Sequence, residues 1–293
     1  MESLTALEIA SQPACWERAA AVAASSAAAL PAAGERVAVV GCGTSWFMAQ
    51  AYAALREAAG QGETDAFAAS EMPLARQYDR LVALSRSGTT TEVLGLLGEV
   101  RGRIPTVALT AAPDTGIREL ADGLVELAFA DEESVVQTRF ATSALALLRA
   151  SLGEDLAPVA ADAQAALEQP VDELAALDQI TFVGTGWTVG LADEAALKMR
   201  EAAQLWTESY PAMEYRHGPL AIGEPGRGVW VFGAAPPGLP ADVERTGARL
   251  VTSGLDPMAH LVLAQRVAVA AAERRGLDPD RPRNLTRSVI LGG

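Results

Sequence analysis

The sequence is poor in the residues that usually carry redox and metal chemistry. It holds two cysteines, Cys15 and Cys42, and two histidines, His217 and His260, in 293 residues. Neither pair has metal-ligand spacing, so no metal, no cofactor, no disulfide and a reducing, cytoplasmic setting are expected. Basic side chains are also scarce: 23 Lys and Arg stand against 37 Asp and Glu, a formal net charge of −14. Nucleic-acid binding needs a basic surface to displace counterions, so this balance argues against that class of partner. No window of about twenty residues is strongly apolar and uncharged, which argues against a membrane-spanning helix. Glu2 and Glu8 lie where a secretory leader keeps basic residues, so no leader is expected. Aromatic residues make up only 5% of a chain that is 50% hydrophobic. Alanine, valine and leucine must therefore fill the core, which suits close packing of helices on a sheet.

What is present is a strand–helix alternation. Short β-branched or apolar runs predict strands at Arg36–Gly41, Thr64–Ala68, Arg80–Leu84, Pro105–Thr110 and Gly123–Ala130. Longer Ala/Leu/Glu segments predict helices at Ala19–Ala33, Trp46–Ala59, Thr90–Val100, Asp114–Leu120 and Gln137–Leu152. This alternation implies a parallel, doubly wound sheet. The pattern then restarts. Ile180-Thr-Phe-Val-Gly-Thr-Gly186 copies Val37-Ala-Val-Val-Gly-Cys-Gly43, and Gly184 lies as far from Gly41 as Glu214 does from Glu71. Two matches at one offset indicate a duplicated domain. The expected domains are 1–155 and 156–293, with the boundary near Gly153 to Leu177. The second half has fewer strand signals, at Gly228–Phe232 and Arg249–Thr252, and ends in a helix over Pro257–Arg275.

The motif richest in chemistry is Leu84-Ser-Arg-Ser-Gly-Thr-Thr-Thr-Glu92. Gly88 permits a tight turn, and Thr89 and Glu92 have capping-box spacing. Free N–H groups at the helix start, with the hydroxyls of Ser85, Ser87 and Thr90, form a cup for a phosphate or another oxyanion. The net charge of −14 repels anions at long range, so such a site has to be local. Arg86 either adds a cation to the cup or points to solvent. Gly41-Cys-Gly-Thr-Ser45 is a second loop of this kind. It lacks a third glycine, since position 46 is Trp, so a dinucleotide site is not expected. It serves either strand–helix packing or a ligand. In Glu194-Ala-Ala-Leu-Lys-Met-Arg-Glu201, spacings of four and three place Glu194, Lys198 and Glu201 on one helical face. That face is either a solvated salt-bridge surface or a cleft where a lysine tunes a general base. Glu208 lies seven residues further on. His217, in a turn, is an acid/base candidate or a surface residue. His260, in an apolar helix, is read as structural.

Taken together, these motifs resemble the sugar isomerase (SIS) domain family, and within it the isomerase half of glucosamine-6-phosphate synthases. The resemblance runs from Glu8-Ile-Ala-Ser-Gln-Pro13 through Gly41–Ser45, Ser85–Thr90, Glu194–Glu201 and Arg216-His-Gly-Pro-Leu220 to Arg281-Pro-Arg-Asn-Leu-Thr-Arg-Ser-Val289. It implies two tandem SIS domains, each a doubly wound sheet flanked by helices. It implies that Ser85, Ser87, Thr90 and the backbone near Arg86 hold a phosphate. Thr44, Ser45 and Val135 would be sugar or phosphate contacts. Glu201 would shuttle a proton between C1 and C2, with Glu194 and Lys198 in support. His217 would open the sugar ring from the neighbouring subunit of a homodimer. Three departures stand out. No glutaminase segment with an N-terminal cysteine nucleophile is seen, so glutamine-dependent synthesis is not expected of this chain. Arg287 stands where the family has a tail lysine, and arginine forms no imine with a ketose. The second half also lacks a segment.

Two functions compete on this reading. One is a phosphosugar isomerase or amino-sugar-phosphate deaminase/isomerase acting on a hexose or hexosamine 6-phosphate. The other is a non-catalytic binding or sensing module, which Arg287 and the short second half favour.

Overall fold

A computed structural model describes residues 3–291. The chain enters through α1 (Leu4–Ala10) and α2 (Gln12–Ser25). It continues through β1 (Val37–Gly41), α3 (Thr44–Ala58), β2 (Thr64–Ala68), β3 (Arg80–Leu84) and α4 (Thr91–Val100). Next come β4 (Thr106–Thr110), α5 (Ile117–Leu120), β5 (Gly123–Glu126) and α6 (Arg139–Ser151). Helices α7 (Ala157–Leu167) and α8 (Asp172–Ala175) lead to β6 (Gln179–Gly184), α9 (Thr188–Ala203), β7 (Thr207–Pro211) and β8 (Arg227–Phe232). The last elements are α10 (Leu239–Thr246), β9 (Arg249–Val251) and α11 (Pro257–Arg274). No helix of the described residues is long and apolar enough to cross a membrane.

The strands form two parallel sheets, in the orders β2-β1-β3-β4-β5 and β7-β6-β8-β9. The two orders begin alike, with the first strand of each sheet lying between its second and third. Each sheet opens on a central strand, steps outward to an edge strand, and then crosses to the other side. Such a reversal leaves a crevice beyond the strand carboxyl ends, where ligands of doubly wound sheets bind. Gly41 and Gly184 occupy equivalent places at the ends of β1 and β6. A Cβ on Gly41 would lie 2.6 Å from the Ser45 carbonyl carbon, and one on Gly184 would lie 2.3 Å from the Thr188 carbonyl oxygen. Both glycines therefore let a helix begin directly against its strand. Glu71 and Glu214 each fall in a short 3₁₀ turn after the edge strand, β2 or β7.

The chain divides into two compact units, and the division is not a single cut. One unit comprises residues 14–157 and 286–293, and the other comprises 1–13 and 158–285. The expected bounds, 1–155 and 156–293, place the cut close to residue 157 but assign both chain ends differently. Hydrogen bonds give the reason. In the second unit, Asp280 accepts from the backbone N–H of Leu4 and Thr5, and the Gln12 amide donates to Gln265 on α11. In the first unit, Arg287 and Ser288 bond to the loop after β3.

Each sheet is buried by a different style of core. In the first unit, Ala38, Val40, Leu81, Ala83 and Ala108 pack against Val93, Leu97 and Val100 of α4 and Ile117 of α5. The second unit uses aromatics: Phe182, Trp230 and Phe232 form a cluster with His260 of α11. His260 is structural, as its apolar helix indicates. It lies 4.8 Å from Trp230, and its Nδ1 accepts from Trp230 Nε1–H at 3.3 Å.

Burial lowers the pKa of His260 from 6.5 to about 4. The unfolded chain takes up that proton near its ordinary pKa and the folded chain only near 4, so the folded state loses stability as pH falls between those values. The loss from this group is up to roughly 3 kcal/mol. His260→Phe should make the urea midpoint fall less between pH 7 and pH 5 than it does in the unsubstituted protein. Equal falls in both proteins would refute the assignment.

Several local expectations are corrected. The helix expected over Ala19–Ala33 is instead Gln12–Ser25, and Ser25 bonds back to the Val22 carbonyl where the helix ends. The strand expected to reach Ala130 stops at Glu126 and passes into a 3₁₀ turn, Ala128–Ala130. Strand β7 was not among the expected strands. Its sequence, Thr-Glu-Ser-Tyr-Pro, has no continuous apolar run, as befits an edge strand that pairs on one side only.

Candidate functional site

The Ser-rich loop lies at the carboxyl end of β3, beside the crevice of the first sheet. Ser85 Oγ accepts from the Gly88 N–H at 3.2 Å, and Ser87 Oγ accepts from the Thr89 N–H at 3.3 Å. Gly88 adopts φ +61°, and a Cβ there would fall 2.1 Å from Thr115 Oγ1. Thr115 Oγ1 donates to the Gly88 carbonyl, so the turn is held from below. The capping box does not form. Thr90 is the N-cap residue of α4 and makes no side-chain cap bond. Thr89 Oγ1 turns instead to Ser87 Oγ and Ser288 Oγ, each at 3.0 Å. The α4 terminus therefore keeps the uncapped Thr90 hydroxyl next to the loop.

Arg86 neither faces solvent nor offers a charge to the cup. It is 6% exposed, and its guanidinium donates to the carbonyls of Ser134 (3.1 Å), Val135 (3.3 Å) and Arg287 (2.8 Å). Glu132 Oε2 lies 3.6 Å from it. Arg86 thus ties three segments together: its own loop, the stretch before α6, and the C-terminal tail. Glu132 carries no signal in the sequence beyond an acid before a helix. Its carboxylate accepts from Thr138 Oγ1 at 2.7 Å and from the Arg139 N–H at 2.8 Å, at the start of α6. A buried carboxylate at a helix N-terminus is favoured by both the free N–H groups and the macrodipole.

These bonds bring Ser85, Arg86, Ser87, Val135 and the backbone of Arg287 into one cluster. The side chain of Arg287 turns away from the hydroxyls, donating to the Glu132 carbonyl and pairing with Asp131. Thr44 and Ser45 are buried on the first turn of α3, after the neighbouring strand β1. Between them and the strand lies Cys42. Burial, with Glu92 nearby, raises its thiol pKa, which disfavours the thiolate.

In the second unit, helix α9 carries the acid–lysine motif. The face is buried rather than solvated. Glu194 and Lys198 are each 1% exposed, and Lys198 Nζ contacts Glu201 and lies 3.6 Å from Glu194 Oε1. The Glu201 side chain is 18% exposed, so it is the acid of the pair that a ligand can reach. The helix ends at Ala203 with Gln204 in the left-handed region, and Glu208 belongs to β7 rather than to this face. His217 ends the 3₁₀ turn Glu214–Arg216 and is exposed. Arg216 fixes that turn through Asp242 (2.6 Å) and the Pro237 carbonyl (2.8 Å). The second-unit counterpart of the Ser-rich loop, between β8 and α10, offers Gly238 as N-cap and no side-chain cap bond. Among the described residues, no group of three or more His, Cys, Asp or Glu is placed to hold a metal ion.

Comparison with known proteins defines the class first: the fold is that of SIS-domain proteins. The chain superposes on glucosamine-6-phosphate deaminase from Thermotoga maritima with a TM-score of 0.81, covering 99% of this chain and 100% of that one at 24% identity. It superposes on the C-terminal domain of glucosamine-fructose-6-phosphate aminotransferase from Francisella tularensis with a TM-score of 0.83, covering 96% and 99% at 19% identity. In sequence, it is 28% identical to glutamine–fructose-6-phosphate aminotransferase [isomerizing] of Methanothermobacter thermautotrophicus, over 88% of this chain and 52% of that protein. The chain is similar to the isomerase (SIS) part of these aminotransferases. It spans about half the length of the relatives it matches. No family model matches the chain.

Proposed function

We propose that the chain is a phosphosugar isomerase or amino-sugar-phosphate deaminase/isomerase acting on a hexose or hexosamine 6-phosphate, with each sheet unit corresponding to one SIS domain. The observation that carries this reading is the buried Lys198 held against Glu194 and Glu201, with Glu201 alone partly open to ligand. The hydroxyl-lined loop of the first unit supports it, as do the sequence relatives, which are named as isomerizing aminotransferases.

The roles are those that the resemblance to the SIS family implies. Ser85, Ser87 and Thr90 hold the 6-phosphate with the loop backbone at Arg86, and Thr44, Ser45 and Val135 line the sugar. His217, supplied by the second subunit of a homodimer, moves the proton that opens the ring. Glu201 removes the C2 proton of the open-chain aldose, leaving an enediol or enolamine. It returns the proton to C1 while a second proton passes from the C2 heteroatom to the C1 oxygen, so that a C2 hydroxyl becomes the carbonyl, and a C2 amine becomes an imine that water hydrolyses to the ketone with loss of ammonia. Lys198 orients the Glu201 carboxylate, and Glu194 in turn holds Lys198. The step conserves atoms and electrons and draws on no external oxidant.

Incubation with glucose, fructose and glucosamine 6-phosphates in heavy water tests the proposal. Deuterium should enter at C1 or C2 of at least one of them. If none of the three exchanges above a Glu201→Gln control, the enzymatic reading fails. The anion cup has its own test. Ser87→Ala and Thr90→Ala should each weaken phosphorylated sugars by about 1.5–3 kcal/mol, the worth of a hydrogen bond to a charged group. Unphosphorylated sugars should be little affected, and equal losses for both kinds would remove the loop from phosphate binding.

A second reading, binding without turnover, is favoured by one feature. Arg287 is engaged with Asp131 and the Glu132 carbonyl, and it cannot form the imine open to a lysine. Tight phosphosugar binding with no isotope exchange is the result that would select it.

A further inference from the structure

The turn that carries His217 is fastened to helix α10 at two consecutive residues. Tyr215 is 1% exposed and packs into the core of the second sheet with Leu239 and Val243 of that helix. Arg216 reaches its first turn. Nε donates to Asp242 at 2.6 Å, and Nη2 donates to the Pro237 carbonyl, just ahead of the helix, at 2.8 Å. Asp242 stays charged there: the helix start favours a carboxylate, and Arg245 and Arg216 hold its carboxyl below the ordinary aspartate range. A Cβ on Gly238 would lie 2.8 Å from Arg216 Nη2, so the guanidinium lies directly against the loop after β8. Strand β8 holds the third place in its sheet, as β3 does in the other, yet its loop, Gly-Ala-Ala-Pro-Pro-Gly from 233 to 238, has no hydroxyl. Where the loop after β3 presents hydroxyls, this one presents a backbone carbonyl to an arginine. His217 comes next and is exposed. Its N–H donates to the Glu214 carbonyl at 2.9 Å, and its imidazole has no hydrogen-bond partner among the described residues. The direction of the imidazole is therefore set by the turn that carries it.

We propose that Arg216 is a positioning residue for ring opening: by tying the His217 turn to Asp242 and to the loop after β8, it aims the imidazole at the sugar. This rests on the ring-opening role given to His217 above. Opening a cyclic hexose 6-phosphate breaks the C1–O5 bond. One proton leaves the C1 hydroxyl, which becomes the carbonyl, and one reaches O5. A group that moves such a proton works only within hydrogen-bond reach, and a shift of about 1 Å is enough to lose most of the rate. An exposed turn without a tie samples many orientations. The planar fork of Arg216 removes that freedom by meeting a carboxylate and a carbonyl at once. Helix α10 thus serves the second unit as a mount for His217, in the place where α4 of the first unit opens onto the hydroxyl-rich loop.

The experiment uses the whole chain and reads ring opening directly, by magnetic resonance, as exchange between the α and β anomers of glucose 6-phosphate in excess of the buffer rate. His217→Gln should lower that excess by about 10²-fold or more, and Arg216→Met by about 10–10²-fold. Adding Arg216→Met to His217→Gln should change nothing further, a non-additivity that a general loss of stability does not produce. Asp242→Asn, which keeps the shape and removes the charge, should lower the exchange and add little to Arg216→Met. Affinity for glucosamine 6-phosphate should be unchanged in Arg216→Met, because no phosphate contact is assigned to this turn. Full anomer exchange in Arg216→Met, with a loss in His217→Gln, would overturn the positioning role and leave His217 in place. Equal losses from Arg216→Met with and without His217, or a parallel loss of affinity, would overturn it as well, since Arg216 would then act other than through His217. Exchange at the buffer rate in the unsubstituted protein, or undiminished exchange in His217→Gln, would overturn the ring-opening role itself.

Discussion

Glu201→Gln is expected to reduce C1/C2 proton exchange and net isomerisation by about 10²–10⁴-fold, the usual worth of a positioned general base. The substitution keeps the shape of the side chain and removes its basicity. Its amide oxygen can still accept from Lys198, so the buried pair of Lys198 and Glu194 keeps a partner at that end. Folding should be little changed. Because the phosphate contacts are assigned to Ser85, Ser87 and Thr90, affinity for the 6-phosphate should persist while kcat falls. That split is the diagnostic. A variant that loses phosphosugar affinity and turnover in parallel would show that Glu201 holds the ligand and does not act as the base.

Arg86→Met should have the largest effect on stability, about 3–5 kcal/mol for breaking a buried charge pair. The guanidinium satisfies three carbonyls and lies against Glu132, all within the first unit. Methionine fills similar volume but donates nothing. Glu132 keeps its bonds to Thr138 and Arg139, so the α6 terminus should survive while the tail and the 134–135 stretch lose their tie. The urea midpoint should drop, and hydrogen exchange should accelerate at 287–291. Arg86→Lys should rescue little, because one ammonium cannot span three carbonyls arranged for a planar fork. A midpoint within the range of an ordinary surface substitution, or full rescue by lysine, would contradict this account.

Much of the fold can be read from the sequence because its signals are local. Strands buried on both faces, such as Val37–Gly41, need continuous apolar runs, and those runs are visible without any partner. The repeated Gly-x-Gly is legible for a similar reason: strand and helix meet within a few residues, so the glycine that permits the contact lies next to both. The hydroxyl-rich loop after β3 is recognisable from its own residues, Ser85 to Thr90. Edge strand β7 was not legible, because pairing on one side leaves its composition nearly unconstrained. Glu132 was missed because its partners, Arg86 and the α6 N-terminus, come together only through the fold.

The sequence alone determined the α/β plan of parallel sheets flanked by helices, the hydroxyl-rich loop after β3 and the spacing that puts Glu194, Lys198 and Glu201 on one helical face. Only the tertiary structure decided what those residues do with their surroundings. It turned the acid–lysine face inward, withdrew Arg86 from the cup to bind carbonyls, aimed Arg287 at Asp131 and brought Ser288 to the loop from 201 residues along the chain. The physical reason is the range of the interactions. Periodicity and turn chemistry act between near neighbours and are written into short stretches of sequence. Burial of a charge and the choice of a hydrogen-bond partner depend on which distant backbone atoms the packing delivers.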